Sequence, residues 1–152
     1  MNKIRISDPL SITSAYIDEI TSTVDRVIKS GWYIGGEEVI NFENEFSEYL
    51  NINYTISTGS GTDALQLALR SLGIGTGDKV VIVSHTAVAT VAAIEMVGAI
   101  PIFVDIDPKT YTIDIKGLSE ALISHNSKSR KSIKAIVPVH IYGHPAPYSS
   151  AY

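Results

Sequence analysis

A regular alternation of apolar runs and helix-like segments after residue 53 constrains the fold of this chain most strongly. Four short runs rich in β-branched residues are separated by segments in which apolar residues recur at helical spacing. The runs are "NYTIS", "KVVIVS", "IPIFVDI" and "KAIVPVHIYG". This alternation is typical of right-handed crossovers on a parallel sheet, and apolar runs without polar alternation are typical of strands covered on both faces. We therefore predict an α/β fold with four parallel strands.

The segments between these runs carry helix boundary signals. One helix is predicted from about Thr62 to Leu72, ending at Gly73. A second is predicted from about Ala87 to Val97, ending at Gly98. A third is predicted to begin after Asp114, whose side chain suits an N-cap.

The first 52 residues show helical patterns only. One helix is predicted between Ser14, a candidate N-cap, and Gly31, a candidate C-cap. Another is predicted to open at the pair Glu37–Glu38, because negative charge stabilises a first helical turn. The stretch between them, "SGWYIGG", suits a loop. We therefore divide the chain into an N-terminal helical segment, residues 1–52, and an incomplete α/β domain, residues 53–152.

Composition excludes several classes of function. The net charge is −4, and the basic residues are scattered apart from Lys128–Lys131, which argues against a nucleic-acid partner. The chain has no cysteine, so a disulfide framework and a cysteine metal site are excluded. The most apolar stretch, residues 86–104, contains Glu95 and Pro101 and is interpreted as helix, turn and strand. We expect a cytoplasmic protein without a membrane partner or a signal peptide.

A glycine-rich turn, "STGSGTDALQ", precedes the first helix of the α/β pattern. Ligands of parallel sheets bind beyond the carboxyl ends of the strands, and the first amides of a helix lack intrahelical partners. The turn is therefore suited to a phosphate, to which Thr62 would add a hydroxyl donor. The alternative is a tight turn in which the glycines only permit the bend and Thr62 caps the helix.

Two common phosphate-binding patterns fit this turn poorly. A P-loop requires Gly-Lys-Ser/Thr, and "GSGTDA" contains no lysine. Gly59, Gly61 and Ala64 do match the dinucleotide pattern G-x-G-x-x-A. That pattern also requires an acidic residue roughly 20 positions further on, at the end of the next strand. Ser84 and His85 stand there instead, so a dinucleotide is disfavoured.

Several longer segments, in order, resemble the DegT/DnrJ/EryC1/StrS family. They are "SGWYIGGEEVINFENEFSEYL", "SGTDALQLALRSLGIGTGDKVVIVSHTAVAT", "VGAIPIFVDIDPKTYTID" and "AIVPVHIYGHPA". The resemblance runs from about residue 8 to Ala146. It implies a pyridoxal-phosphate-dependent sugar aminotransferase, with residues 53–152 in the large domain of the aspartate-aminotransferase-like fold (fold type I). That domain has a parallel-rich sheet flanked by helices, and only its N-terminal part is expected here.

The resemblance also implies a cofactor site. Gly61, Thr62 and Asp63 match the positions that hold the phosphate of pyridoxal 5'-phosphate. Many relatives carry a ring-stacking aromatic residue at the position of Ala87. His85, two residues earlier, is then a candidate for stacking on the pyridine ring, and an ordinary polar residue at a strand end is the other interpretation.

Two further groups of residues have alternative interpretations. By resemblance, Trp32 and Tyr33 lie in a loop that approaches the sugar substrate, often in the site of a neighbouring subunit; packing of an N-terminal helix is the alternative. His140 and His144 are spaced H-x-x-x-H at a strand end, where they would not share a helical face. With no carboxylate nearby in sequence, no metal site is predicted.

The implied reaction transfers an amino group from an amino acid, with glutamate as the expected donor, to a nucleotide-linked keto-deoxysugar in a homodimer. The sugar and the aminated carbon stay open. Amino transfer requires a Schiff-base lysine and a carboxylate at the pyridine nitrogen. In the family both follow the segment that matches "VHIYG". The resemblance thus implies a fragment that is inactive alone, and the alternative is a non-catalytic remnant or a phosphate- or partner-binding module.

Overall fold

The computed structural model describes residues 6–126 and 133–147. The chain forms two compact units, Met1–Ser57 and Thr58–Tyr152. Within the described ranges, no helix is long and apolar enough to cross a bilayer. The basic run Lys128–Lys131 lies outside the described residues. The proposed division at residue 52 stays a prediction.

The first unit is helical. Its helices are α1 (Pro9–Thr13), a 3₁₀ turn (Ser14–Tyr16), α2 (Ile17–Ser30) and α3 (Glu37–Leu50). Gly31 ends α2 in the left-handed region (φ 72°), as predicted, and its amide donates to the Ile28 carbonyl. The prediction that Ser14 caps this helix is wrong, because the chain is already helical from Pro9 onwards and Ser14 itself has helical backbone angles. The Ser14 hydroxyl donates instead to the Ser11 carbonyl at 3.3 Å.

The second unit is a three-stranded parallel sheet with helices. Its elements are α4 (Gly61–Ser71), β1 (Lys79–Val83), α5 (Val88–Met96), β2 (Ile100–Val104), α6 (Ile115–Asn126) and β3 (Ile133–Val137). The strand order is β2-β1-β3, and Val81 lies opposite Ile102 and Ile136. Asp114 caps α6 as predicted, since its carboxylate accepts from the Lys116 and Gly117 amides.

The predicted strand "NYTIS" is not a strand: residues 53–57 belong to no sheet in the described part of the chain. A strand requires a ladder of backbone hydrogen bonds to a neighbour. Here side chains of α3 supply the contacts instead. The Glu43 carboxylate accepts from the Ser57 amide at 2.7 Å, and the Ser47 hydroxyl donates to the Thr55 hydroxyl at 2.7 Å.

The core lies on both faces of β1, whose side chains alternate between two apolar clusters. Val80 and Ile82 pack with residues of α4 and α5, such as Ile94. Val81 and Val83 pack with residues of β2 and α6 on the opposite face. Helices therefore cover both faces of the sheet, which confirms the predicted α/β architecture.

Candidate functional site

One edge of the sheet in the second unit gathers the polar and aromatic residues of interest. Because all three strands are parallel, their carboxyl ends lie at the same edge. His85 follows β1, the loop 105–113 follows β2, and residues 138–146 follow β3. The chain passes from the end of α4 to the start of β1, so the N-terminus of α4 points to this edge as well.

The glycine-rich turn at the start of α4 is capped by Ser60. The Ser60 hydroxyl oxygen accepts from the Asp63 amide at 3.1 Å and donates to the Asp63 carboxylate at 2.8 Å. A Cβ on Gly59 would lie 3.2 Å from that carboxylate, so glycine permits its approach. The interpretation in which Thr62 caps the helix is therefore wrong. The spacing [Ser/Thr]-x-x-[Asp/Glu] of Ser60 and Asp63 is the sequence signal for this cap.

The cap leaves three donors at the start of α4 without a partner among the described residues. They are the amides of Gly61 and Thr62 and the hydroxyl of Thr62. A Cβ added to Gly61 would meet nothing within 4 Å, so the approach to these amides is open. Free amides at the positive end of an 11-residue helix are suited to a phosphate. Asp63 differs from the other two predicted residues, because its amide and its carboxylate are both engaged by Ser60.

His85 belongs to an exposed aromatic cluster at the same edge. Its Nε2 lies 3.2 Å from the Tyr142 hydroxyl, with 6.0 Å between the ring centroids. The ring of Tyr111 lies 6.5 Å from that of His85. Sequence reasoning missed both tyrosines. The signal available was that Tyr111 follows a predicted strand and Tyr142 lies at the end of another, on the side where the carboxyl ends meet.

Ala87 stands between this cluster and α5. It is the N-cap residue of α5, with extended backbone (φ −63°, ψ 138°), and it is exposed. A methyl group has no planar face to offer a ring. His85 therefore supplies the planar side chain of the segment that follows β1.

Trp32 and Tyr33 belong to the first unit, in the loop between α2 and α3. Both are exposed, by 56% and 68%. They line a cavity of about 100 Å³ together with Arg26 and Glu38, whose side chains form an ion pair with 2.8 Å between Nε and Oε1. The Tyr33 hydroxyl donates to the Ile28 carbonyl at 3.3 Å, so it is held against the end of α2.

The His140 imidazole, after β3, takes part in a local turn. His140 Nδ1 accepts from the Ala146 amide at 2.9 Å, which closes the turn around residues 140–146. Within residues 6–126 and 133–147, no three metal-ligating side chains come together.

Comparison with known proteins identifies the family. The model of the DegT/DnrJ/EryC1/StrS aminotransferase family matches residues 15–151. The chain belongs to this family. It is 40% identical over 133 residues to the UDP-2-acetamido-2-deoxy-3-oxo-D-glucuronate aminotransferase of Pseudomonas aeruginosa, covering 88% of this chain and 35% of the relative.

Solved structures show the same relationship. A DegT/DnrJ/EryC1/StrS aminotransferase from Brucella abortus superposes with a TM-score of 0.91 at 34% identity, over 97% of this chain and 40% of that one. The protein NtdA from Bacillus subtilis, with bound PMP, superposes with a TM-score of 0.82 at 31% identity, over 99% of this chain and 34% of that one. The chain thus shares the fold of part of these aminotransferases and spans about a third of the length of such relatives.

Proposed function

We propose that the chain is part of a sugar aminotransferase and that the start of α4 binds the phosphate of pyridoxal 5'-phosphate. The observation that carries the proposal is the set of three free donors at Gly61 and Thr62. The space at the Cβ position of Gly61 itself is open, so a ligand can approach these donors. Phosphate takes hydrogen bonds from such amides and is stabilised by the helix dipole. NtdA, with its bound PMP, supports a cofactor of this kind.

The residues at this edge of the sheet have distinct proposed roles. When bound, the cofactor supplies an electron sink for amino transfer. Gly61 and Thr62 hold its phosphate, and Asp63 fixes the turn through Ser60. His85 offers its ring to the pyridine ring from the carboxyl end of β1, while Ala87 leaves the neighbouring space open.

The proposed substrates are a nucleotide-linked keto-deoxysugar and glutamate, acted on by a cytoplasmic homodimer. The name of the Pseudomonas aeruginosa relative, which describes a UDP-linked oxo sugar acid, supports this substrate class. Trp32 and Tyr33 are proposed to face the sugar substrate. Their exposure, and the cavity they line, support that assignment.

The 152 residues alone are proposed to be inactive in amino transfer, because no lysine of the described residues suits covalent attachment of the cofactor. Lys79 and Lys134 lie in the first halves of β1 and β3, towards the amino edge. Lys109 lies in the loop after β2, on the cofactor side, but it is exposed, whereas a lysine nucleophile is activated by desolvation in an apolar pocket or by a neighbouring cation. A non-catalytic phosphate-binding module is the second candidate, favoured by the same preformed turn.

Calorimetric titration with pyridoxamine 5'-phosphate, which has no aldehyde and cannot react with lysines, tests the cofactor site. We expect Gly61→Leu to abolish measurable binding, because the side chain would occupy the open approach to the amides. Ser71→Leu, at the other end of α4, is the matched control and should bind like the unmodified chain. Equal affinities for all three proteins would show that the phosphate does not bind at this turn.

A further inference from the structure

Tyr142 is brought to His85 by the order of the strands. His85 follows the central strand β1, and Tyr142 lies in a 3₁₀ turn (Ile141–Gly143) after the neighbouring strand β3. The two residues are 57 positions apart, yet the Tyr142 hydroxyl and His85 Nε2 lie 3.2 Å from each other. Both side chains are exposed, so burial alone does not hold them together.

The backbone at Tyr142 is unusual for a bulky residue. Its φ is 54° and its ψ is 21°, which is the left-handed region, and Gly143 follows at φ 80°. Non-glycine residues adopt this conformation rarely and often near functional sites. Local contacts hold the turn: the Gly143 amide donates to the His140 carbonyl at 3.1 Å, and the His144 amide donates to the Ile141 carbonyl at 2.9 Å.

We propose that Tyr142 is a positioning residue that holds the imidazole of His85 in the orientation in which its ring stacks on the cofactor. This rests on the proposed function, in which His85 stacks on the pyridine ring. An exposed histidine rotates about two side-chain bonds, and ordering such a side chain on binding reduces affinity. The hydrogen bond between Tyr142 and the imidazole orders the His85 ring beforehand, so the pyridine ring of the cofactor binds against a face whose orientation is already fixed.

Tyr111 provides a matched comparison within the same cluster. Its ring also borders His85, at 6.5 Å, and its backbone is also left-handed, at φ 60°. Its hydroxyl has no hydrogen bond to His85 or to any other part of the chain that the structure describes. Removal of the hydroxyl from each tyrosine therefore separates the hydrogen bond from aromatic packing.

The test uses the full 152-residue chain and the variants Tyr142→Phe, Tyr111→Phe, His85→Ala and Gly61→Leu. The two phenylalanine variants keep the ring and the backbone demands of tyrosine. Titration calorimetry measures the Kd for pyridoxamine 5'-phosphate and for inorganic phosphate. Nitrogen-15 NMR of the imidazole reports the protonation and hydrogen bonding of the two His85 nitrogens.

We expect Tyr142→Phe to weaken pyridoxamine phosphate binding about fivefold, the effect of one ordinary hydrogen bond. Its affinity for inorganic phosphate, which has no ring, should stay unchanged. The His85 nitrogen signals should shift in Tyr142→Phe and not in Tyr111→Phe.

The possible failures are distinguishable. If His85→Ala and Gly61→Leu weaken pyridoxamine phosphate binding while Tyr142→Phe binds like the unmodified chain, the positioning role is wrong and the proposed cofactor site stands. If the unmodified chain binds neither probe, or if His85→Ala has no effect, the stacking role of His85 fails and the role of Tyr142 fails with it.

Discussion

Replacement of Ser60 by alanine tests how the turn before α4 is built. The Ser60 hydroxyl is the only side-chain group of the described residues that bonds the Asp63 amide, and it also donates to the Asp63 carboxylate at 2.8 Å. Ser60→Ala removes both contacts and leaves the third amide of α4 without its cap. The same change leaves the Gly61 and Thr62 donors chemically intact.

The expected loss of stability follows from the position of the contact. An N-cap serine replaced by alanine costs about 1 kcal/mol. Ser60 is exposed, so no cavity adds to that cost. With a urea m-value of about 2 kcal/mol/M, the unfolding midpoint should fall by about 0.5 M. Urea unfolding followed by far-ultraviolet circular dichroism measures it, since α4 contributes directly to the helical signal.

Two controls decide whether the reasoning holds. Ser60→Thr keeps a capping hydroxyl and should retain most of the stability. Thr62→Ala should leave the unfolding midpoint nearly unchanged, because the Thr62 hydroxyl bonds nothing in the described part of the chain. A midpoint that falls in Thr62→Ala and stays constant in Ser60→Ala would refute the cap assigned here and restore Thr62 as the capping residue.

Four further outcomes are expected. Thr62→Ala should weaken pyridoxamine phosphate binding by about 1 kcal/mol in calorimetry, the usual contribution of one hydrogen bond; an unchanged Kd would remove the hydroxyl from the site. The chain mixed with pyridoxal phosphate and glutamate should show no stable lysine-bound cofactor in absorbance and no amino transfer; activity lost in Lys109→Ala would contradict this. Ile82→Ala, at a fully buried position, should cost about 2–5 kcal/mol in urea unfolding, whereas the exposed Val88→Ala should change little. Sedimentation should show self-association of the isolated chain, because apolar side chains on α2 and α3 are exposed; a monomer with sharp near-ultraviolet dichroism would contradict it.

Local signals were sufficient for most elements of the fold. Gly31, Gly73 and Gly98 all adopt positive φ after the helices they were predicted to end. The apolar run around Val81 forms the central strand. A strand covered on both faces of the sheet needs no alternation of polar and apolar residues. Residues 53–57 were assigned wrongly because a strand depends on a partner, and β propensity says nothing of whether one is present.

The candidate site was likewise predicted where its residues are contiguous in sequence and not where the fold brings distant residues together. The glycine turn was found from sequence because its residues are contiguous and its helix follows at once. The contact of His85 with Tyr142 and Tyr111 was not found, because it joins loops after three different strands. The order β2-β1-β3 is not the order in the chain, so sequence distance gave no indication that these loops meet. The positive φ values of Tyr111 and Tyr142 could not be predicted either, since tyrosine has no preference for that region.

A capped turn and a phosphate-binding turn were alternatives in the sequence, but the cap seen in the structure is compatible with the proposed phosphate site. A helix has four amides without intrahelical partners at its start, and one side chain at the N-cap satisfies only one or two of them. Ser60 takes the Asp63 amide, which lies third in α4, and the Gly61 and Thr62 amides that precede it remain available. Capping by Ser60 instead of Thr62 also leaves the Thr62 hydroxyl available to a ligand. The cap therefore fixes the start of the helix without using the donors that the proposed phosphate requires.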